Sequence, residues 1–146
     1  MATFTTIGST TVPSGSTVAC TLNAGCVTWL ESAKTADYAV TAADTGTIFT
    51  NAGASGAVVF TLPTKAAGLT YEFRAVANQA ITVASASSSD DIVGWKDAAC
   101  DSIALSTANK IIGAGVRVTC NGDATLWYCI PFTWNDATDI TVATKS

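Results

Sequence analysis

The sequence predicts an all-β fold, an antiparallel β-sandwich of jelly-roll-like form, from three observations. From Asp37 to Trp134, apolar and small polar residues alternate in short bursts, as they must in strands whose successive side chains face opposite sides. Gly-rich turns such as TNAGASG and NGD separate the bursts, in the way turns separate strands. No long helical period, heptad or internal repeat is visible. A chain of 146 residues is long enough for one domain with a real hydrophobic core.

The first thirty residues contain no Asp, Glu, Lys or Arg. FTTIG, STVACTL and CVTWL read as strands, with Pro13-Ser14-Gly15-Ser16 as a turn. An arm in water normally carries charge, so this segment is expected to be covered, either as strands of the domain or along a partner subunit. Residues 1–35 are therefore read as an arm or edge strands, 36–134 as the β-sandwich domain, and 135–146 as a strand-forming tail.

In the central domain, Ile48-Phe49-Thr50 and Val58 to Leu62 flank Asn51 to Gly56, whose residue types predict a hairpin. Pro63 stops the second strand, Thr64 to Ala67 can make one helical turn, and Gly68 can close it in the left-handed conformation. From Leu69 to Val76 the alternation is strict. It places Leu69, Tyr71, Phe73 and Ala75 on one face and Thr70, Glu72, Arg74 and Val76 on the other. Asn78-Gln79 turns the chain into the strand Ala80 to Val83, and Ser85 to Asp91 is a polar loop.

Ile111 to Cys120 and Leu126 to Phe132 flank Asn121-Gly122-Asp123, a second expected hairpin. Gly113-Ala114-Gly115 marks a bulge or a close backbone approach. Trp127 has the opposite parity to Tyr128 and Ile130, so both faces of that strand are bulky and both are expected to be covered. Ile140-Thr141-Val142 is a last short strand, suited to a domain edge or to a partner.

Charged residues are 12% of the chain, about half the usual share. Such a surface favours association into an oligomer or a larger assembly. A net charge of −4 argues against nucleic-acid binding. No apolar run is long enough to span a bilayer as a helix, so no membrane partner is expected.

The absence of His removes Ser-His-Asp and Cys-His catalysis and His-bearing zinc sites. No catalytic, metal or cofactor residue is therefore expected, and the chain reads as a non-enzyme. The acids Asp90, Asp91, Asp97 and Asp101 around Trp95 lack EF-hand spacing and are expected to be turn-formers. Trp29, Trp95, Trp127 and Trp134 suit cores and interfaces better than a sugar platform. MATFTTIGSTTVP carries neither the basic nor the apolar region of a secretory signal. The five cysteines are thus expected to be free buried thiols in a reducing cytoplasm, with a Cys20–Cys26 bridge as the alternative.

Two runs, DTGTIFTNAGASGAVVFTLPTKAAGLTYEFRAVANQAITV and DSIALSTANKIIGAGVRVTCNGDATLWYC, resemble a β-module of tailed-bacteriophage virion proteins. The resemblance covers about Asp44 to Trp134 and includes no catalytic signature. Such modules occur in capsid decoration (cement) proteins and in terminal domains of tail fibres or spikes. The resemblance implies a virion structural role. The short chain and its strand-prone ends favour decoration: a homotrimer bound to the major capsid protein on the capsid exterior, made in the host cytoplasm. Phe4, Ile7, Val12, Val18 and Trp29 are then the candidate partner-binding residues. A receptor-binding module that recognises a host surface glycan is the alternative.

Overall fold

The computed structural model describes residues 29–86, 91–94, 97–106, 111–132 and 140–143. Its elements are almost all strands: β1 (Leu30–Ala33), β2 (Tyr38–Ala39), β3 (Thr47–Thr50), β4 (Val58–Thr61), β5 (Thr70–Arg74), β6 (Ile81–Ala84), β7 (Ile92–Gly94), β8 (Asp97–Cys100), β9 (Ser102–Leu105), β10 (Gly115–Cys120), β11 (Trp127–Pro131) and β12 (Ile140–Ala143). One short 3-10 turn, Ala42–Asp44, lies between β2 and β3. The strands form a seven-stranded sheet in the order β1-β3-β5-β10-β11-β7-β8 and a five-stranded sheet in the order β12-β9-β6-β4-β2.

The pairing is mixed, which corrects the antiparallel expectation. Strands β1, β3 and β5 run parallel in one sheet, and β2, β4 and β6 run parallel in the other. The chain shuttles between the sheets, laying odd strands in one and even strands in the other. Parallel neighbours need a crossover, and here each crossover is a strand of the opposite sheet. The first half is therefore a flattened coil of three rungs. Its end, β1, lies in the segment 1–35, and among the described residues it is the outermost strand of the seven-stranded sheet.

From β9 onward, antiparallel pairing dominates. β10 bridges β5 and β11, β9 pairs with β6, and β12 adds to β9 at the domain edge.

This coil overturns the first expected hairpin, because β3 and β4 lie in different sheets. Asn51 to Gly56 is a corner between layers. The reason lies in Asn51, which is fully buried. Its amide nitrogen donates to the carbonyls of Ala77 (3.1 Å) and Gln79 (2.9 Å), and its amide oxygen accepts from the N–H groups of Val76 (2.8 Å) and Ala77 (2.9 Å). One side chain thereby ties this corner to the next one. A buried amide with four partners meets the requirement that buried polar groups be bonded.

The core is one cluster of buried residues from strands of both sheets. Phe49 on β3 and Phe73 on β5 are register partners with rings stacked at 5.6 Å, and Phe60 on β4 packs on both, at 5.5 and 5.0 Å. Leu69, Tyr71, Phe73 and Ala75 are all buried, as the alternation predicts. The Tyr71 ring meets that of Trp127 at 6.0 Å, and its hydroxyl donates to the Thr41 carbonyl at 3.0 Å. Offset aromatic contacts of this kind add to the burial of area.

Residues 64–67 form no helical turn. A single reverse turn closes from the Leu69 N–H to the Ala66 carbonyl (3.3 Å), with Gly68 left-handed at φ 82° as expected. The second hairpin is present as β10–β11, but its left-handed residue is Ala124 (φ 58°) and not Gly122. The close approach at Gly113 to Gly115 is also present: a Cβ on Gly115 would stand 2.7 Å from the Phe73 carbonyl oxygen. That contact lies on the seam where β5 of the coil meets β10.

Candidate functional site

Alternation along β5 puts Glu72 on the outer face of the seven-stranded sheet, where a charged side chain is ordinarily solvated. Glu72 is nevertheless only 1% exposed. The antiparallel register sets Arg117 of β10 directly opposite it. One Glu72 oxygen accepts from Arg117 Nη2 (2.9 Å) and Nε (3.3 Å), and the other accepts from Arg74 on its own strand. Arg74 and Arg117 are the only arginines in the chain, and both converge on this carboxylate. Their side chains remain 53% and 41% exposed.

Two aromatic rings flank the Arg117 guanidinium: Trp29 with its centroid at 5.2 Å and Phe132 at 5.1 Å. Both are at cation–π distance. Beside them runs a groove of about 410 Å³, lined by Glu72, Arg74, Val76, Ile112, Arg117 and Phe132. Val76, Ile112, Tyr128 and Ile130 are exposed at 45%, 61%, 49% and 59%. The strand with two bulky faces thus buries Trp127 on its inner side and leaves Tyr128 and Ile130 open on the other.

Of the five residues expected to bind a partner, Trp29 is at this site, in contact with Arg117. Phe4, Ile7, Val12 and Val18 lie outside the described residues. Sequence reasoning missed the Glu72–Arg74–Arg117 cluster. Its trace was available, however, as a Glu and an Arg two residues apart on one strand face, in a chain with only two arginines.

Elsewhere the polar groups are spent on structure. Asp91 is tied to Lys65 at 2.8 Å, beside a cavity of about 150 Å³ lined by Pro63, Ser85 and Trp127. Asp90 and Trp95 of the suspected acidic cluster lie outside the described residues. Burial works against the charge of Asp44, but hydrogen bonds from the Thr41 N–H and hydroxyl (both 2.8 Å) and from the Tyr38 hydroxyl hold its carboxyl below the usual range.

Burial pushes the Tyr71 hydroxyl up to about 12, aided by the charge of Asp44. Burial likewise pushes the Cys129 thiol up to about 12. Cys120 and Cys129 are free thiols, and Cys20 and Cys26 lie outside the described residues.

Among the described residues, no group of three or more His, Cys, Asp or Glu side chains could hold a metal ion, and no helix is long and apolar enough to cross a membrane. No protein-family model and no curated protein matches the sequence.

Proposed function

We propose that the protein is a bacteriophage capsid decoration (cement) protein. In this reading it docks on the major capsid protein of the assembled shell through the outer face of its seven-stranded sheet, as a homotrimer on the capsid exterior. One observation carries the proposal. An apolar patch of Val76, Ile112, Tyr128 and Ile130 surrounds an arginine pair pre-positioned by buried Glu72, on a chain that is otherwise poor in charge. Large permanent interfaces have this composition, with apolar residues and arginine at the centre. Burying each of the four apolar side chains contributes on the order of 1 kcal/mol.

The two sheets, joined by the Phe49–Phe60–Phe73 contacts, are read as the layers of a β-sandwich. Cementing is then linkage: a subunit that binds only the expanded shell stabilises it by its binding free energy. The resemblance of the chain to phage virion modules supports the same reading.

The test mixes the purified protein with expanded, undecorated phage capsids and follows co-sedimentation and capsid melting. Saturable binding that raises capsid melting, and that Ile130→Asp abolishes, is the expected result. A folded protein that leaves capsids unbound and their melting unchanged overturns it. A second reading, a tail-fibre or spike module for a host surface glycan, draws on the Trp29 and Phe132 rings beside the groove. Glycan binding in the absence of capsid binding would favour that second reading.

A further inference from the structure

We propose that the groove beside Glu72, Arg74 and Arg117 binds one carboxylate, presented by an apolar-flanked acidic segment of the partner protein. This rests on the docking reading above and names the chemistry that the docked surface must supply.

The charge balance points to a single anion. Two guanidiniums and one carboxylate leave the cluster a surplus of one positive charge, in a chain whose net charge is −4. A phosphate dianion or a nucleic-acid backbone would bring more negative charge than the cluster offsets.

The geometry points to a carboxylate. Arginine carries five N–H donors in a fixed fork. Arg117 directs its Nε and Nη2 to Glu72 at 3.3 and 2.9 Å, and the remaining donors match a planar, bidentate acceptor. Trp29 and Phe132 flank the fork at 5.2 and 5.1 Å. They limit its hydration and its rotation, so little ordering remains to be done on binding.

The lining points to protein over sugar. Val76 and Ile112 stand 45% and 61% exposed along the groove and need apolar atoms to cover them. A volume of about 410 Å³ admits a carboxylate side chain with its flanking groups.

Because the chain has two arginines, the Nε–Hε region of its NMR spectrum holds two arginine cross-peaks, one per candidate ligand group. The test titrates the wild-type protein with phenylacetate, with its neutral isostere phenylacetamide and with glucuronate. Phenylacetate is expected to move both cross-peaks saturably, with a Kd of about a millimolar, as befits a fragment. Phenylacetamide is expected to bind at least about tenfold more weakly, and glucuronate more weakly than phenylacetate. Arg117→Lys keeps the charge but loses the fork, and should weaken phenylacetate several-fold.

Cross-peaks that stay still would make the cluster a purely structural ion triad and overturn the proposal. Equal response to the amide would remove carboxylate recognition, and tighter glucuronate binding would replace the protein occupant with an acidic sugar. The three ligand titrations use the wild-type protein, so the outcomes that decide the proposal do not depend on whether Arg117→Lys folds. Phenylacetate binding without capsid binding would remove the docking reading alone. Capsid binding with still cross-peaks would remove this inference alone.

Discussion

Asn51 and Asn121 stand at turns of similar composition, and the halves of the molecule use them in opposite ways. In the antiparallel half, Asn121 serves its own turn. Its side-chain oxygen accepts from the N–H groups of Thr125 and Leu126, four and five residues away, at 2.9 and 3.0 Å. In the coil, every side-chain bond described for Asn51 reaches 25 to 28 residues along the chain, to the corner of the next rung. A hairpin closes its own backbone locally. The corner after β3 faces backbone groups of the next corner, and the buried Asn51 side chain bonds four of their atoms. The Asn51 corner is therefore held by long-range polar contacts, whereas the hairpin turn is held locally.

The largest contrast is expected from the two asparagines. Asn51→Ala removes the side-chain partner of the Val76 and Ala77 N–H groups and of the Gln79 carbonyl, and should destabilise the protein by about 2–4 kcal/mol. Asn121→Ala, at a turn open to solvent, should cost about 1 kcal/mol. Urea unfolding of both variants checks this, and equal losses would erase the distinction between the halves.

The seam between the halves comes next. Gly115→Ala drives a methyl against the Phe73 carbonyl and should cost about 1–3 kcal/mol. Gly122→Ala meets open space and should lie within about 0.5 kcal/mol of wild type. Thermal melts of the pair would show whether the seam tolerates movement.

The coil interior should also show in alkali. Tyr71 is buried with its pKa raised to about 12, against about 10 in the unfolded chain. The unfolded state therefore loses this proton first. The Tyr71 contribution is complete below pH 10 and is lost as pH rises from about 10 towards 12. Tyr71→Phe should flatten that slope and cost about 1 kcal/mol at neutral pH through the lost bond to Thr41. Chemical unfolding at pH 7 and at pH 11 separates the two effects.

The smallest effect belongs to the hairpin. Ala124→Gly relieves a left-handed alanine at φ 58° and should stabilise by about 0.5 kcal/mol, after the added freedom of glycine in the unfolded chain is subtracted. Unchanged melting would mean that the turn already absorbs the strain.

Much of this architecture is legible in the sequence. Strand alternation correctly assigned the buried face Leu69, Tyr71, Phe73 and Ala75, and the Asn-Gly signal found the β10–β11 hairpin. The parallel coil was not legible. Register partners lie 17 residues apart between Leu30 and Thr47 but 24 apart between Thr47 and Tyr71, so no period shows. The residue types of Asn51 to Gly56 fit a hairpin as well as they fit a corner, and only the partners of Asn51, far along the chain, decide between them. Glu72 was hidden for a related reason. Its face was read correctly, but its burial comes from Arg117, 45 residues away and set opposite by the register.

The first rung of the coil has a consequence for solubility. Among the described residues, β1 and β2 each have a strand neighbour on one side, the arrangement on which a further rung could add, end to end. Filament growth by such addition is the hazard of any open β-edge. Here β2 is two residues long, and Glu31 and Lys34 stand on or beside β1. The brevity and the charge make the flank a poor primer. Extending β2 by a few β-branched residues and neutralising those two charges would turn a self-limiting subunit into a polymer.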